Sequence, residues 1–302
     1  MTTRKTPAPE PGSVHESFAL GPDGTRLYVR SRSGPSPLTA VLCDGLVCDG
    51  FIYKYLWDDL ARSLSVAHFN YRGHGRSATP VDPARIDVPA HAADLDAVRQ
   101  HIGDPEVVLV GHSLGTQVVL EAYRQRPDKV RALVLLNGSF GRVTYTFKGS
   151  DLLANVLPNM IDFASRHPKL LRALWTRLPV RMALKVAELT GDIDAKAVSA
   201  EDMEPYFRHA VHVDFEMFVR MLRHAGEHSA EEFLGSIAVP TLIVAGSRDS
   251  FTPPSVSEAM AEMMPNATLD LIPGGTHVVP LEQRQRVIEK VEAFLRKANL
   301  IG

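Results

Sequence analysis

Val107-Val108-Leu109-Val110-Gly111-His112-Ser113-Leu114-Gly115 is the stretch that decides how this chain is read. An unbroken apolar, β-branched run enters a Gly-x-Ser-x-Gly turn, and Thr116–Arg124 beyond it follows a helical pattern. A buried strand, a sharp turn and a helix in that order lift a serine hydroxyl clear of the C-terminal edge of a sheet. The residues two positions to either side must then lack side chains, because a Cβ there would collide with neighbouring backbone. The free N–H groups at the start of the helix would face any negative charge growing beside the serine. Ser113 is therefore the candidate nucleophile.

On either side, short apolar runs alternate with helical patterns. Phe18–Leu20 and Thr25–Val29 flank the turn Gly21-Pro22-Asp23-Gly24 and read as an antiparallel pair. Ala40–Leu42, Ser65–Phe69, Ala132–Leu136, Thr241–Ala245 and Thr268–Ile272 read as further strands. With Val107–Val110 that makes eight. Helical patterns at Tyr53–Arg62, Ala90–His101, Val256–Met264 and Leu281–Lys297 separate them. Such alternation predicts a mostly parallel sheet covered by helices on both faces. The stretch 142–232 breaks the rhythm: it is helical throughout, with Pro158, Pro168, Pro179 and Pro205 expected at helix boundaries. The expected organisation is a disordered lead over 1–14, an α/β core over 15–141 and 233–302, and an all-helical insertion over 142–232.

A serine hydroxyl needs a base to take its proton. Of the twelve histidines, His277 alone follows a late strand on a glycine loop, Gly274-Gly275-Thr276-His277. Open α/β sheets place ligands at that end of their strands. His112 is too close in sequence to fold back onto its neighbour, and His209, His212, His224 and His228 fall in the helical insertion. An acid must fix the tautomer of the base and stabilise its cation. Asp249, in Gly246-Ser247-Arg248-Asp249 directly after the strand 241–245, fits that role. Another place for the acid, after the strand 132–136, holds the uncharged Asn137. The order Ser, Asp, His along the chain matches the fold expected.

With these segments in hand, the chain resembles the α/β-hydrolase superfamily over about residues 15–298, in the branch with a helical cap after the sixth strand. Asn70-Tyr71-Arg72-Gly73-His74-Gly75-Arg76-Ser77 is similar to the family's Asp-x-Arg-Gly-x-Gly-x-Ser turn, with Asn70 in the leading place. The resemblance implies the α/β-hydrolase fold and a Ser113–Asp249–His277 triad. It also implies an oxyanion hole made by the backbone N–H groups of Leu46 and Leu114. Where the family usually carries His-Gly, this chain has Asp44-Gly45. Asp44 is expected to tie that loop, to pair with Arg72, or to influence substrate choice. Tyr53, Phe140 and Val278 flank the predicted catalytic loops and, with Asp44, are the pocket candidates. Phe147, Trp175, Phe215 and Met217 are among the insertion residues expected to roof the serine.

Composition narrows the function. The formal net charge is −2 with a pI near 6.6, and Lys and Arg are scattered through the chain as a whole, so a nucleic-acid footprint is not expected. Two cysteines, Cys43 and Cys48, make neither a disulfide framework nor a zinc site, and both are expected reduced. No apolar run is long enough for a membrane span, and Met1–Gly12 lacks the apolar stretch of a secretory signal. A cytoplasmic enzyme without metal or cofactor is expected, acting as monomer or homodimer on a small ester-like substrate with an apolar part. A carboxylesterase or lactonase leads. A carbon–carbon bond hydrolase, thioesterase or cofactor-free perhydrolase would use the same residues, and a non-catalytic ligand-binding protein of this fold is the alternative from another class. Epoxide hydrolases and haloalkane dehalogenases of this fold need a carboxylate where Ser113 stands.

Overall fold

Alternation along the apolar strands sets the layers. Within Val107–His112, Val107 and Leu109 turn to one side of the sheet and Val108 and Val110 to the other. Val130–Leu136 repeats the division: Leu133 and Leu135 face one cluster, Ala132, Val134 and Leu136 the other. Each valine or leucine so buried stabilises the fold by roughly 1.5–3 kcal/mol. A sheet apolar on both faces needs helices on both, and it has them. The computed structural model describes residues 12–302 apart from 176, 178 and 195. Residues 1–11 of the expected lead lie outside the described residues.

The strands are β1 (Val14–Leu20), β2 (Arg26–Arg32), β3 (Thr39–Cys43), β4 (Ser65–Phe69), β5 (Val107–His112), β6 (Val130–Leu136), β7 (Thr241–Gly246) and β8 (Ala267–Ile272). They form one sheet in the order β1-β2-β4-β3-β5-β6-β7-β8. The pairs β1–β2 and β2–β4 are antiparallel and the other five are parallel. The expected eight-stranded, mostly parallel sheet is what the chain forms. Strand β1 starts at Val14, so the lead ends earlier than the boundary at 14 placed it. Seven residues pair from Val14↔Arg32 to Leu20↔Arg26.

Helices α1 (Lys54–Leu60), α2 (Val88–His101) and α3 (Leu114–Gln125) follow β3, β4 and β5. Between β6 and β7 come α4 (Val143–Thr146), α5 (Leu152–Arg166), α6 (Pro168–Trp175), α7 (Val180–Leu189), α8 (Ala200–Ala210), α9 (Phe215–Glu227) and α10 (Glu231–Leu234). The chain closes with α11 (Pro254–Met263), α12 (Val279–Glu282) and α13 (Arg284–Lys297). Side chains of α2, α3 and α11 fill one core cluster, and those of α1 and α13 the other. Asp87, Ser199 and Asp214 cap α2, α8 and α9 by accepting from backbone N–H groups.

Two expectations about helix ends fail. Pro158 lies inside α5 and Pro205 inside α8, not at their boundaries. Both sit at exposed positions, where water can bind the carbonyl that proline leaves without a donor. The helical pattern from Leu281 is broken at Gln283 (φ −124°, ψ 44°), which separates α12 from α13.

The turn after β4 is held by a charge cluster in which Arg72 and Asp94 are fully buried and Asp23 partly so. Arg72 Nε donates to Asp94 Oδ2 at 2.7 Å, and Nη1 donates to Asp23 Oδ2 at 2.9 Å. Burial opposes the guanidinium charge, but the two carboxylates outweigh it and raise the Arg72 pKa. Removing one partner of a buried pair leaves a charge without compensation. Asp94→Ala is therefore expected to destabilise the fold by about 3–5 kcal/mol. Urea unfolding of the variant beside the native chain measures it, the midpoint falling with little change in slope.

Candidate active site

Ser113 lies between β5 and α3 with φ 54° and ψ −119°, a conformation that costs a non-glycine residue about 1–3 kcal/mol. The two glycines make the turn possible. A Cβ on Gly115 would fall 2.0 Å from the Cys43 carbonyl oxygen, and one on Gly111 2.4 Å from that of Gly115. The N–H of Ser113 donates to the Leu136 carbonyl at 3.0 Å, which fastens the turn to the adjacent strand.

His277 and Asp249 come from loops after β8 and β7. His277 Nε2 is 3.0 Å from Ser113 Oγ, and its Nδ1 is 2.9 Å from Asp249 Oδ2. A carboxylate can only accept, so Nδ1 carries the proton and Nε2 presents its lone pair to the serine hydroxyl. The three residues singled out in the sequence are thus brought together in one relay.

Asp249 is almost completely buried, yet its carboxyl is held below the ordinary range. Burial pushes its pKa up; the His277 ring and hydrogen bonds from His277, Asn137 and the Thr252 backbone push it down further. Asn137 Nδ2 donates to Oδ2 at 2.7 Å, and the N–H groups of Phe251 and Thr252 donate to Oδ1 at 2.9 and 3.0 Å. The Thr252 hydroxyl adds a contact of 2.8 Å to Oδ2. In the sequence Asn137 marks only a place without the acid; the structure gives it a role of its own. Its second Nδ2 proton goes to the Thr276 carbonyl at 2.9 Å, so it ties the acid to the residue before the base. Its position at the C-terminal end of β6 was the available signal.

His112 also has a part that sequence reasoning missed. Its ring is buried and its Nε2 is 3.0 Å from the His277 carbonyl oxygen, to which it donates. Burial, reinforced by the nearby His277 ring, lowers its pKa to about 3, which keeps it neutral. Phe251 stacks on His277 with centroids 4.9 Å apart and planes at 21°, and Phe147 of the insertion meets Phe251 edge-on at 5.0 Å.

Beside the nucleophile runs the loop Asp44-Gly45-Leu46. A Cβ on Gly45 would lie 3.1 Å from Ser113 Cβ. Two buried hydroxyls hold the carbonyls of this segment: Tyr53 donates to Cys43 at 2.5 Å and Tyr71 to Asp44 at 2.9 Å. The N–H groups of Leu46 and Leu114 have no acceptor among the described residues. Two unspent donors therefore lie close to Ser113 in sequence or space: Leu114 directly follows it, and Leu46 directly follows the Gly45 that packs on its Cβ.

The Asp44 carboxylate does not pair with Arg72, which is taken up by Asp94 and Asp23. It lies 2.7 Å from His68 Nε2, with both side chains buried. Leu42 and His68 are register partners on β3 and β4, so His68 stands beside the base of this loop. Tyr53 and Val278 are enclosed in the core cluster on one face, and Phe140 is half-buried against the other. Trp175 and Phe215 meet at a tilt, with ring centroids 5.0 Å apart, along a cleft of about 210 Å³ in the insertion, of which Ser113 is not a lining residue. Of the insertion residues Phe147, Trp175, Phe215 and Met217, the first and last reach toward the site loops: Phe147 through Phe251, and Met217 against the core cluster that Leu46 also joins. Cys43 and Cys48 are both free and buried. No group of metal-ligating side chains occurs among the described residues.

A family model described as the alpha/beta hydrolase family matches residues 42–290. The chain belongs to the alpha/beta hydrolase family. Over 294 residues this alpha/beta hydrolase is 32% identical to the polyketide synthase ThaQ of Burkholderia thailandensis, covering 95% of this chain. The match spans 13% of the length of that synthase. An esterase from the thermophile Thermogutta terrifontis superposes with TM-score 0.75 at 22% identity, covering 94% of this chain and 99% of that one. An esterase from Exiguobacterium antarcticum gives TM-score 0.76 at 19% identity, over 93% and 100%. These two likenesses establish the shared fold.

Because the Asp249 pKa is depressed in the folded protein, its stabilising contribution is present above the unfolded carboxylate value of about 3.9. It is lost as pH falls through the folded value. Asn137→Ala removes one donor and raises that folded value. Thermal melts are expected to place the variant below the native chain at neutral pH, with the gap narrowing only below about pH 3.9 and a remainder persisting from the lost bond to the Thr276 carbonyl.

Proposed function

We propose that this alpha/beta hydrolase is a serine hydrolase that cleaves an ester-like bond through an acyl-enzyme. The observation that carries the reading is the relay from Ser113 Oγ to His277 Nε2 at 3.0 Å and from His277 Nδ1 to Asp249 Oδ2 at 2.9 Å. His277 takes the serine proton as Oγ attacks the carbonyl carbon, and the N–H groups of Leu46 and Leu114 receive the oxyanion. His277 then protonates the leaving group, and water activated by the same ring releases the acyl group. Asp249 stays charged throughout, stabilising the imidazolium. Asn137, Thr252 and the N–H groups around them hold that charge in place.

A carboxylesterase or lactonase acting on a small substrate with an apolar part is the leading assignment, with the helices between β6 and β7 as a cap over the serine. Phe147 against Phe251, and Lys148 with its N–H on the Ser250 carbonyl at 2.7 Å, support that assignment by joining the insertion to the acid loop. An acyl thioester as substrate is the second reading, favoured by the match to a segment of a polyketide synthase.

The test is hydrolysis of p-nitrophenyl esters of increasing acyl length, with a parallel series of acyl thioesters. Ser113→Ala is expected to lower kcat by about 10⁴–10⁶-fold and to abolish labelling by a fluorophosphonate. Asn137→Ala is expected to lower kcat/KM by roughly tenfold or more while leaving labelling possible. Labelling of Ser113 without ester turnover moves the substrate class to thioesters or carbon–carbon bonds. An unlabelled, inactive native chain overturns the hydrolase reading in favour of a ligand-binding protein.

A further inference from the structure

The insertion has a second chemical character that the catalytic reading does not use. Between 163 and 187 the chain carries Arg166, Lys169, Arg172, Arg177, Arg181 and Lys185 and no Asp or Glu, in a protein whose formal charge is −2. The same stretch, with its neighbours, exposes large apolar side chains. Leu152, Val156 and Phe163 form an outward stripe along α5, opposite the buried Leu157, Ile161 and Ala164. Leu170 and Leu174 lie one turn apart on α6, the latter 59% exposed. Met182, Val186 and Leu189 repeat the spacing on α7, with Leu189 74% exposed.

Three consecutive helices thus present leucine, valine, methionine and phenylalanine outward, interleaved with cations. Arg166 and Lys185 are partly neutralised by Asp162 and Glu188 on their own helices. Lys169 and Arg177 are exposed and carry no ion pair among the described residues. Long basic side chains lay their stems along apolar surface and keep their charge in a polar layer. Apolar residues that enter the acyl boundary beside cations that meet headgroups are what an interfacial helix requires.

We propose that the outer face of α5–α7 docks on the surface of an anionic phospholipid bilayer. Charge complementarity decides the sign of the partner. The apolar stripes distributed over three helices favour a fluid surface over a protein groove of fixed shape. No helix among the described residues is long and apolar enough to cross a membrane, so the attachment is peripheral.

Co-sedimentation of the full chain with vesicles of phosphatidylcholine, alone or mixed with phosphatidylserine, tests this. Uptake is expected on the mixed vesicles only, and to weaken as salt rises. Each positive charge removed is expected to lower the partition coefficient about fivefold, so Lys169→Gln with Arg177→Gln lowers it about 25-fold. Leu170→Ser with Leu174→Ser is expected to lower it by tenfold or more. Ser113→Ala is expected to bind like the native chain, which separates this proposal from the catalytic one. Equal uptake on neutral vesicles, no uptake on either, or native binding by both double variants overturns it. A dimer in light scattering that Leu170→Ser with Leu174→Ser disperses would assign the face to a second copy. Binding to polyglutamate with no uptake by vesicles would assign it to an acidic protein. Either of those results overturns the membrane proposal.

Discussion

His277 leaves the sheet from β8, and Ser113 leaves it from β5, three strands away. At ~4.8 Å per strand the loop after β8 has to reach back roughly 14 Å across the ends of β7 and β6. That span is the constraint on which the site depends. The chain meets it with fastenings at the ends of β6 and β5. Asn137 at the end of β6 donates to the Thr276 carbonyl, and His112 at the end of β5 donates to the His277 carbonyl. On the other side Glu282 accepts from the Thr276 N–H at 2.8 Å and from its hydroxyl at 2.7 Å. A ring held by its backbone on both sides, and stacked on Phe251, has little rotamer freedom to lose when it meets the serine.

The groups around this loop are arranged so that a buried ring beside the base stays neutral while a buried carboxylate stays charged. His112 and His277 lie with centroids 5.1 Å apart. Burial keeps His112 uncharged, so it serves as a hydrogen-bond donor and adds no competing cation. Asp249 is equally buried and yet charged, because every face of its carboxylate meets a donor. The difference is the supply of partners: the unpaired His112 Nδ1 has none to reward protonation, whereas Asp249 has several that reward ionisation.

The inserted helices have two unlike sides. Inward, Met221 and Ala225 of α9 join the core cluster of the sheet, and Phe147 and Lys148 rest on the acid loop. Outward, α5 to α7 combine exposed aliphatic side chains with a run of cations. The inner side explains why the insertion is positioned relative to Ser113. The outer side has no counterpart in the needs of the catalytic site, and it is the basis for proposing a second surface.

The alternation of Val107–Val110, the glycines around Ser113 and the glycine loop before His277 are local properties, and by themselves they determined the layers and the strand ends bearing the relay. They work because a buried strand shows its period directly and a strained turn admits few residue types. Other features depend on chain segments far apart in sequence. That Asn137 reaches Asp249, that His112 holds the His277 backbone, and that Asp44 meets His68 rather than Arg72 follow from strand order and register. The proline-containing α5 and α8 belong here too, since the exposure that lets a missing hydrogen bond be hydrated is set by packing. Local sequence fixes which groups stand at the sheet edge; only the assembled sheet brings partners 112 residues apart in sequence, such as Asn137 and Asp249, within 2.7 Å.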